Sequence, residues 1–272
     1  MIRRPPRSTL DRSSAASDVY KRQLMKTALI TGASQGIGAA IADKLNDKKI
    51  KVILVSRSKS KLKSFQKNLK FPKNSSIISK DLRSLSVCNS IAKKIKKLDY
   101  LINVAGATKG GKFLNLNDNI WDDGFNLKFK AAVRLSRAFW PALKRSKGKV
   151  INIGGGAARN PSNTFMIGGA VNSALNNFSK ALAMQGKIDK VSVSIIHPGM
   201  TLTSRLEKLL QTDAKIFKRS VKQILKQRCK IEKIKRPTKP EEVANLVYKL
   251  IKDQNSNFKN FSIDGGKIKN LR

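Results

Sequence analysis

The sequence predicts one doubly wound α/β domain. Three observations carry that expectation. Short, continuously apolar runs of strand length recur along the chain, helical spacing fills the stretches between them, and a glycine-rich turn joins the first run to the first helix. Continuous rather than alternating apolar strands, each joined by a helix, indicate a parallel sheet covered on both faces. No Pro/Ser/Gly linker and no short-period repeat divides the 272 residues, so a single domain is expected.

The elements follow in order. Lys26 to Thr31 (KTALIT) has strand length and breaks into the glycine turn, after which Ile37 to Leu45 takes helical spacing. Val52 to Val55 is a second buried-strand run, followed by the basic helical stretch Ser58 to Leu69. Ile77 to Ile78, Tyr100 to Asn103, Val150 to Ile153, Val191 to Ile196 and Phe261 to Ile263 complete a seven-stranded expectation. Helical patterns at Val87 to Ile95, Ile120 to Leu143 and Ala170 to Met184 separate most of them.

Composition narrows the class. Hydrophobic residues make up 40% and charged residues 27%, which suits a globular core, and no apolar run reaches the length of a membrane span. Cys88 and Cys229 are too few for a disulfide framework or a zinc site, and they fit a reducing cytoplasm. A single histidine, His197, excludes a His dyad or a His-rich metal centre, and no metal is expected. The anomaly is the charge: 57 basic against 17 acidic residues, a net +40.

Residues 1–23 (MIRRPPRSTLDRSSAASDVYKRQ) stand apart, with no apolar periodicity and no signal-peptide core. MIRRPPRSTL resembles the flow-cell end of a translated sequencing adapter and SSAASDVYKRQ its transposase end, with Asp11 and Arg12 where a sample index would fall. The segment is read as a disordered artefact of gene calling, with the native start at Met25. Removing it takes away six basic and two acidic residues and leaves +36.

The chemistry begins at the first turn. In Thr31-Gly32-Ala33-Ser34-Gln35-Gly36-Ile37-Gly38, Gly32 allows a sharp turn, Gly36 lets backbone approach a pyrophosphate, and Gly38 lets the helix pack on the strand. The helix N-terminus adds N–H groups and a positive dipole. Further motifs follow: Asp81-Leu82 after the third strand, Asn103-Val104-Ala105-Gly106 after the fourth, Pro198-Gly199 with Thr203, and Ile263-Asp264-Gly265-Gly266 near the end. With TGASQGIG, this ordered set resembles the short-chain dehydrogenase/reductase family from Met25 almost to the C-terminus, with 3-oxoacyl-[acyl-carrier-protein] reductases among the similar members. The resemblance implies a Rossmann fold. It also implies NAD(P)(H) contacts by Gly32, Ser34, Gln35, Gly36, Ile37, Gly38, Asp81, Leu82, Asn103, Ala105, Gly106, Pro198, Gly199 and Thr203.

Cofactor choice is read at the end of the second strand, where an acidic residue would bind the ribose 2′-OH of NAD. Ser56-Arg57 stands there instead and offers a guanidinium to a 2′-phosphate, which favours NADP(H) over NAD(H). Gln35 sits where many NADP-binding relatives carry a basic residue.

The reaction centre departs from the family. The resemblance implies an Asn, Ser, Tyr and Lys: Tyr moves the proton, Lys lowers the Tyr pKa, Ser bonds the carbonyl, and Asn braces Lys through water. Asn126 in FNLKF matches the Asn. Gly155 falls at the Ser position. Counting back from FSKALA (Phe178 to Ala183) places Gly168 and Asn172 at the Tyr and Lys positions. The tyrosines Tyr20, Tyr100 and Tyr248 all lie elsewhere. Ser162, Thr164 and Ser173 are poor acids at pH 7, Lys180 should face away, and His197, ending a strand beside Pro198, reads as structural. Gly154 to Gly156 could offer backbone N–H groups to a carbonyl oxygen, and Gly168-Gly169 should leave an open space where the Tyr ring would stand.

Ser204 to Lys239 carries thirteen Lys/Arg and three Asp/Glu, a local +10, and the resemblance makes this region a substrate lid. A cationic lid suits a small anionic substrate. One aromatic in the lid, Phe217, argues against nucleic acid. A homodimer or homotetramer packed through Ile120 to Leu143 and Ala170 to Met184 is implied by resemblance. Two readings stay open: an oxidoreductase transferring hydride with non-standard proton chemistry, or a catalytically silent nucleotide binder acting as sensor, oligomer partner or anion binder.

Overall fold

The computed structural model describes residues 25–255 and 258–271. The adapter-like segment 1–23 lies outside the described residues. Among the described residues, eight strands form one sheet: β1 (Thr27–Thr31), β2 (Lys51–Ser56), β3 (Ser75–Ser79), β4 (Tyr100–Asn103), β5 (Lys149–Ile153), β6 (Ser192–Pro198), β7 (Lys259–Asp264) and β8 (Lys267–Asn270). Their spatial order is β3-β2-β1-β4-β5-β6-β7-β8. The first seven run parallel, and β8 turns back antiparallel on β7, with Phe261 opposite Asn270. The expectation of seven strands is therefore corrected to eight. The parallel seven match it; KIKN of β8 is exposed at all four positions, so no apolar pattern announced it.

Helices cover both faces because the inner strands bury side chains on both sides. On one face α1 (Gly36–Asp47), α2 (Lys59–Lys67) and α9 (Pro240–Lys252) pack Ile41, Leu45, Leu62, Val243 and Val247 against Ile30, Leu54 and Ile102 of the sheet. On the other, α3 (Leu85–Lys94) and α5 (Ala131–Ser146) bring Cys88, Ile91, Leu135 and Phe139 onto Leu29, Leu101 and Val150. The helix α6 (Met166–Asp189) lies beside α5 on that face and contributes Ala183. Phe139 is 1% exposed and anchors this layer.

The long helix expected from Ile120 to Leu143 is not uniform. It consists of α4 (Asp118–Gly124), a π-helical segment Phe125–Lys130, and α5. The Ala131 N–H reaches the Asn126 carbonyl, five residues back, so the segment is wound wider than an α-helix. Such a turn shifts every later side chain around the axis. The basic stretch after β6 forms two helices, α7 (Ser204–Ile216) and α8 (Val221–Ile231), joined through Leu206, Leu210 and Ile224 and by the Arg228–Asp213 ion pair. No helix among the described residues is long and apolar enough to cross a membrane.

Candidate active site

The carboxyl ends of β1, β4, β5 and β6 converge at the point where the strand order reverses, the usual place for a ligand in such a sheet. At β1, Gly32 and Gly36 hold φ of +67° and +57°, and a Cβ on Gly38 would collide with the Gly32 carbonyl oxygen. Only glycine lets α1 dock this closely. Gln35 caps α1 without a side-chain hydrogen bond, and no acidic residue lies in the first turn. The first-turn N–H groups therefore have no competing side-chain acceptor from the cap, which fits a pyrophosphate. Thr203, whose Oγ1 caps α7 by accepting from Leu206 N–H at 3.4 Å, packs its methyl against Gly36. The loops after β1 and β4 are tied by Thr31 Oγ1, which accepts from the N–H groups of Val104 and Ala105 at 2.9 Å.

Arg57 is exposed at the end of β2. Lys61 Nζ on α2 reaches Gln35 Oε1 at 3.4 Å, so a second cation stands beside the glycine loop. Asp81 pairs with Arg83, which also holds Asp123, while Leu82 is buried beneath them. Asn103 turns inward: its amide donates to Asn152 Oδ1 at 2.9 Å, Asn152 donates to Ser179 Oγ, and Ser179 donates to the Leu175 carbonyl. This buried chain cross-links β4, β5 and α6 under the site. Pro198 is buried at the end of β6, and the Gly199 N–H donates to the Ile263 carbonyl at 3.0 Å.

At the positions where the resemblance implies Ser, Tyr and Lys, Gly155 lies against Asn172 and Gly168 stands one helical turn before Asn172 on α6, but the space is not open. A Cβ on Gly168 would overlap the Phe165 ring, which fills the position expected to be empty. A Cβ on Gly155 would lie 2.7 Å from Asn172 Nδ2, so a serine there would collide with the asparagine at the lysine position. Asn172 is 3% exposed, and its Oδ1 has no hydrogen-bond partner. The triglycine is also committed elsewhere than expected. The Gly154 N–H donates to the Ile196 carbonyl at 2.8 Å, and the Gly155 N–H to His197 Nδ1 at 3.3 Å.

His197 is structural in this setting. With Nε2 protonated it donates to Asn176 Oδ1 at 3.1 Å, so both ring nitrogens are used. Burial pushes its pKa down to about 4. Lys180 is exposed, Ser162 and Thr164 bond each other on the surface, and Tyr100 and Tyr248 flank other parts of the sheet.

The reading from sequence missed Lys128, Phe165 and Arg205. The Lys128 stem crosses Gly106, where a Cβ would lie 2.7 Å from its Cδ, and Nζ donates to the Gly154 carbonyl at 2.9 Å. The ammonium thus joins the loops after β4 and β5, next to the Ser position. Desolvation, with Arg205 adding repulsion, pushes its pKa down to about 7. Arg205 comes from α7, donates to the Thr108 carbonyl at 2.8 Å and lies 5.9 Å from the Phe165 ring centroid. The one available signal was a lysine set between Leu127 and Phe129, an apolar setting a solvated lysine does not need.

The short chain dehydrogenase family pattern matches residues 26–214, and the chain belongs to that family. Among its relatives, an uncharacterized oxidoreductase, YvaG, of Bacillus subtilis is 27% identical over 256 residues, covering 90% of this chain and 97% of the relative. A 3-oxoacyl-[acyl-carrier-protein] reductase, FabG, of Buchnera aphidicola is 32% identical over 187 residues, covering 68% and 77%. The crystal structure of the L-sorbose reductase of Gluconobacter frateurii with NADPH and L-sorbose superposes with a TM-score of 0.84 at 28% identity, over 91% of this chain and 98% of that one. YwfH, an NADPH-dependent reductase of bacilysin biosynthesis, gives 0.82 at 26% identity, over 91% and 100%.

Proposed function

We propose that the chain is an NADP(H)-dependent oxidoreductase interconverting a carbonyl and an alcohol, with proton chemistry that does not use the family's Ser, Tyr and Lys. The observation that carries this reading is the fit of the altered residues to one another. Phe165 fills the volume above Gly168 and Asn172 the volume beside Gly155, next to an intact glycine loop.

The bound dinucleotide would supply the hydride. Gly32, Gly36 and the α1 N-terminus would hold its pyrophosphate, with Ala105, Gly106, Gly199 and Thr203 lining the path beyond. Arg57 and Lys61 stand where a 2′-phosphate would be held, which favours NADP(H); the L-sorbose reductase and YwfH are described with NADPH. Lys128, Arg205 and the basic α7–α8 pair support a small anionic substrate. Met184 and Ile188, 72% and 76% exposed on α6, support a homo-oligomer through that helix.

The test is a fluorescence titration of the full chain with NADPH and, separately, NADH. Saturable binding of both, tighter for NADPH, is the expected result. Failure to bind either nucleotide would overturn the reading and leave a fold used for contacts alone.

A further inference from the structure

We infer that Lys128 is the catalytic acid of this site, taking over at the π-helical segment the proton transfer that Gly168 and Asn172 cannot perform. This inference rests on the oxidoreductase reading above. Three independent placements converge on it. Lys128 lies in the π-wound segment two residues after Asn126, and its side chain reaches the loops after β4 and β5. Its stem lies against Gly106 of the loop after β4, and its Nζ bonds the carbonyl of Gly154, one residue before the Ser position. The tyrosine position is at the same time sealed by Phe165, so the proton must come from another direction.

The chemistry balances with a reduced nicotinamide as hydride source. A C–H bond forms at the carbonyl carbon, and the C=O π pair moves onto oxygen. That oxygen takes a proton from Nζ, and the neutral amine regains one from water. The titratable groups that interact with Lys128 are Arg205 of α7 and His197 of β6. Desolvation holds the ammonium acidic, with the cationic Arg205 adding repulsion, while His197 stays neutral above about pH 4. A lysine titrating near neutrality is matched to acid catalysis in a way that an exposed lysine is not.

Two readouts test the assignment in the full chain. The first needs no turnover: Nζ resonances of lysine-labelled protein are followed against pH, with Lys128→Met assigning the signal. Titration near pH 7 is expected; titration near the ordinary lysine value overturns the inference. The second follows NADPH oxidation by the acetoacetyl thioester of coenzyme A, whose phosphates make it anionic. Lys128→Met and Lys128→Arg should lower kcat by about 100-fold or more while the NADPH Kd moves only a few-fold. Arginine keeps the charge but gives up no proton at this pH. The exposed neighbour variant Lys130→Met should match wild type, and wild-type kcat/KM should fall as pH rises past 7. A Lys128→Met protein that keeps the wild-type rate overturns the inference. Loss of NADPH binding by wild type would instead sink the cofactor reading, and the Nζ titration distinguishes the two failures.

Discussion

The first and second βα turns and the reaction centre obey different rules. Around Gly32 to Gly38 each residue does what local geometry demands of a strand-to-helix turn: positive φ at Gly32 and Gly36, and contact between α1 and β1 at Gly38. Around Gly155, Gly168 and Asn172 the family's residues are absent, and the volume they would have used is divided between Phe165 and Asn172. Backbone contacts dominate the first region, with the Thr31 hydroxyl as a tie, whereas the side chains of Phe165, Asn172, Lys128 and Arg205 fill the second. A change in the first therefore acts locally, while one in the second propagates to its neighbours.

The largest effect expected is at the glycine turn. Gly38→Val drives methyl groups into the Gly32 carbonyl, a clash with backbone that cannot rotate away. It should lower stability by about 3 kcal/mol and abolish saturable NADPH binding, as read by thermal unfolding and nucleotide fluorescence. Wild-type affinity in this variant would break the claim that the loop holds the cofactor.

Restoring the family's residues one at a time should fail in the second region. Gly168→Tyr should cost about 1–3 kcal/mol and give no gain in turnover, because the Phe165 ring is already there. Adding Phe165→Ala should recover part of that loss, with a coupling of about 1 kcal/mol in a double-mutant cycle. Gly155→Ser should couple to Asn172 in the same way. Strict additivity for both pairs would show that the centre is not packed as a unit.

Smaller effects sharpen the cofactor side. Arg57→Ala should weaken NADPH binding by about 10-fold, roughly 1.4 kcal/mol, and leave NADH unchanged. Lys61→Ala should weaken it about 2-fold, since its contact with Gln35 is long and exposed. The smallest effect concerns acid. Burial lowers the His197 pKa from 6.5 to about 4, with the Gly155 backbone and Asp264 favouring its charge and Arg159 and Lys128 opposing it. The unfolded chain binds the extra proton first, so stability should fall as pH drops from 6.5 towards 4. Urea melts of His197→Gln should lack that part of the slope.

Stability carries a second signature of Lys128. Its pKa is lower folded than unfolded, so stability should rise with pH between about 7 and 10.5. Lys128→Met should melt higher than wild type at pH 6, and the gap should narrow as pH rises through that window. A variant that melts lower at every pH would mark Lys128 as a structural strut.

The seven parallel strands and the glycine turn were legible because each rests on signals only a few residues long: apolar runs, a strand, a turn and a helix start. Counting along the resemblance puts Gly155, Gly168 and Asn172 at the Ser, Tyr and Lys positions. What fills the space around them was not legible, because it depends on contacts between elements. Phe165 fills a position three residues along its own chain only after the loop before α6 folds back, and Arg205 arrives from α7. Lys128 escaped notice because FNLKFK was read with a regular helical period, and the π turn breaks that period. The strand β8 escaped because an exposed edge needs no apolar pattern.

The central claim is that an intact cofactor half serves a rebuilt but working reaction centre. The most direct measurement mixes the full chain with nicotinamide-deuterated NADPH and the acetoacetyl thioester, then examines the recovered thioester by mass spectrometry. The account predicts a hydroxyl product carrying the deuterium. Tight NADPH binding with no deuterium transferred to that carbonyl would contradict it and identify a nucleotide binder without turnover.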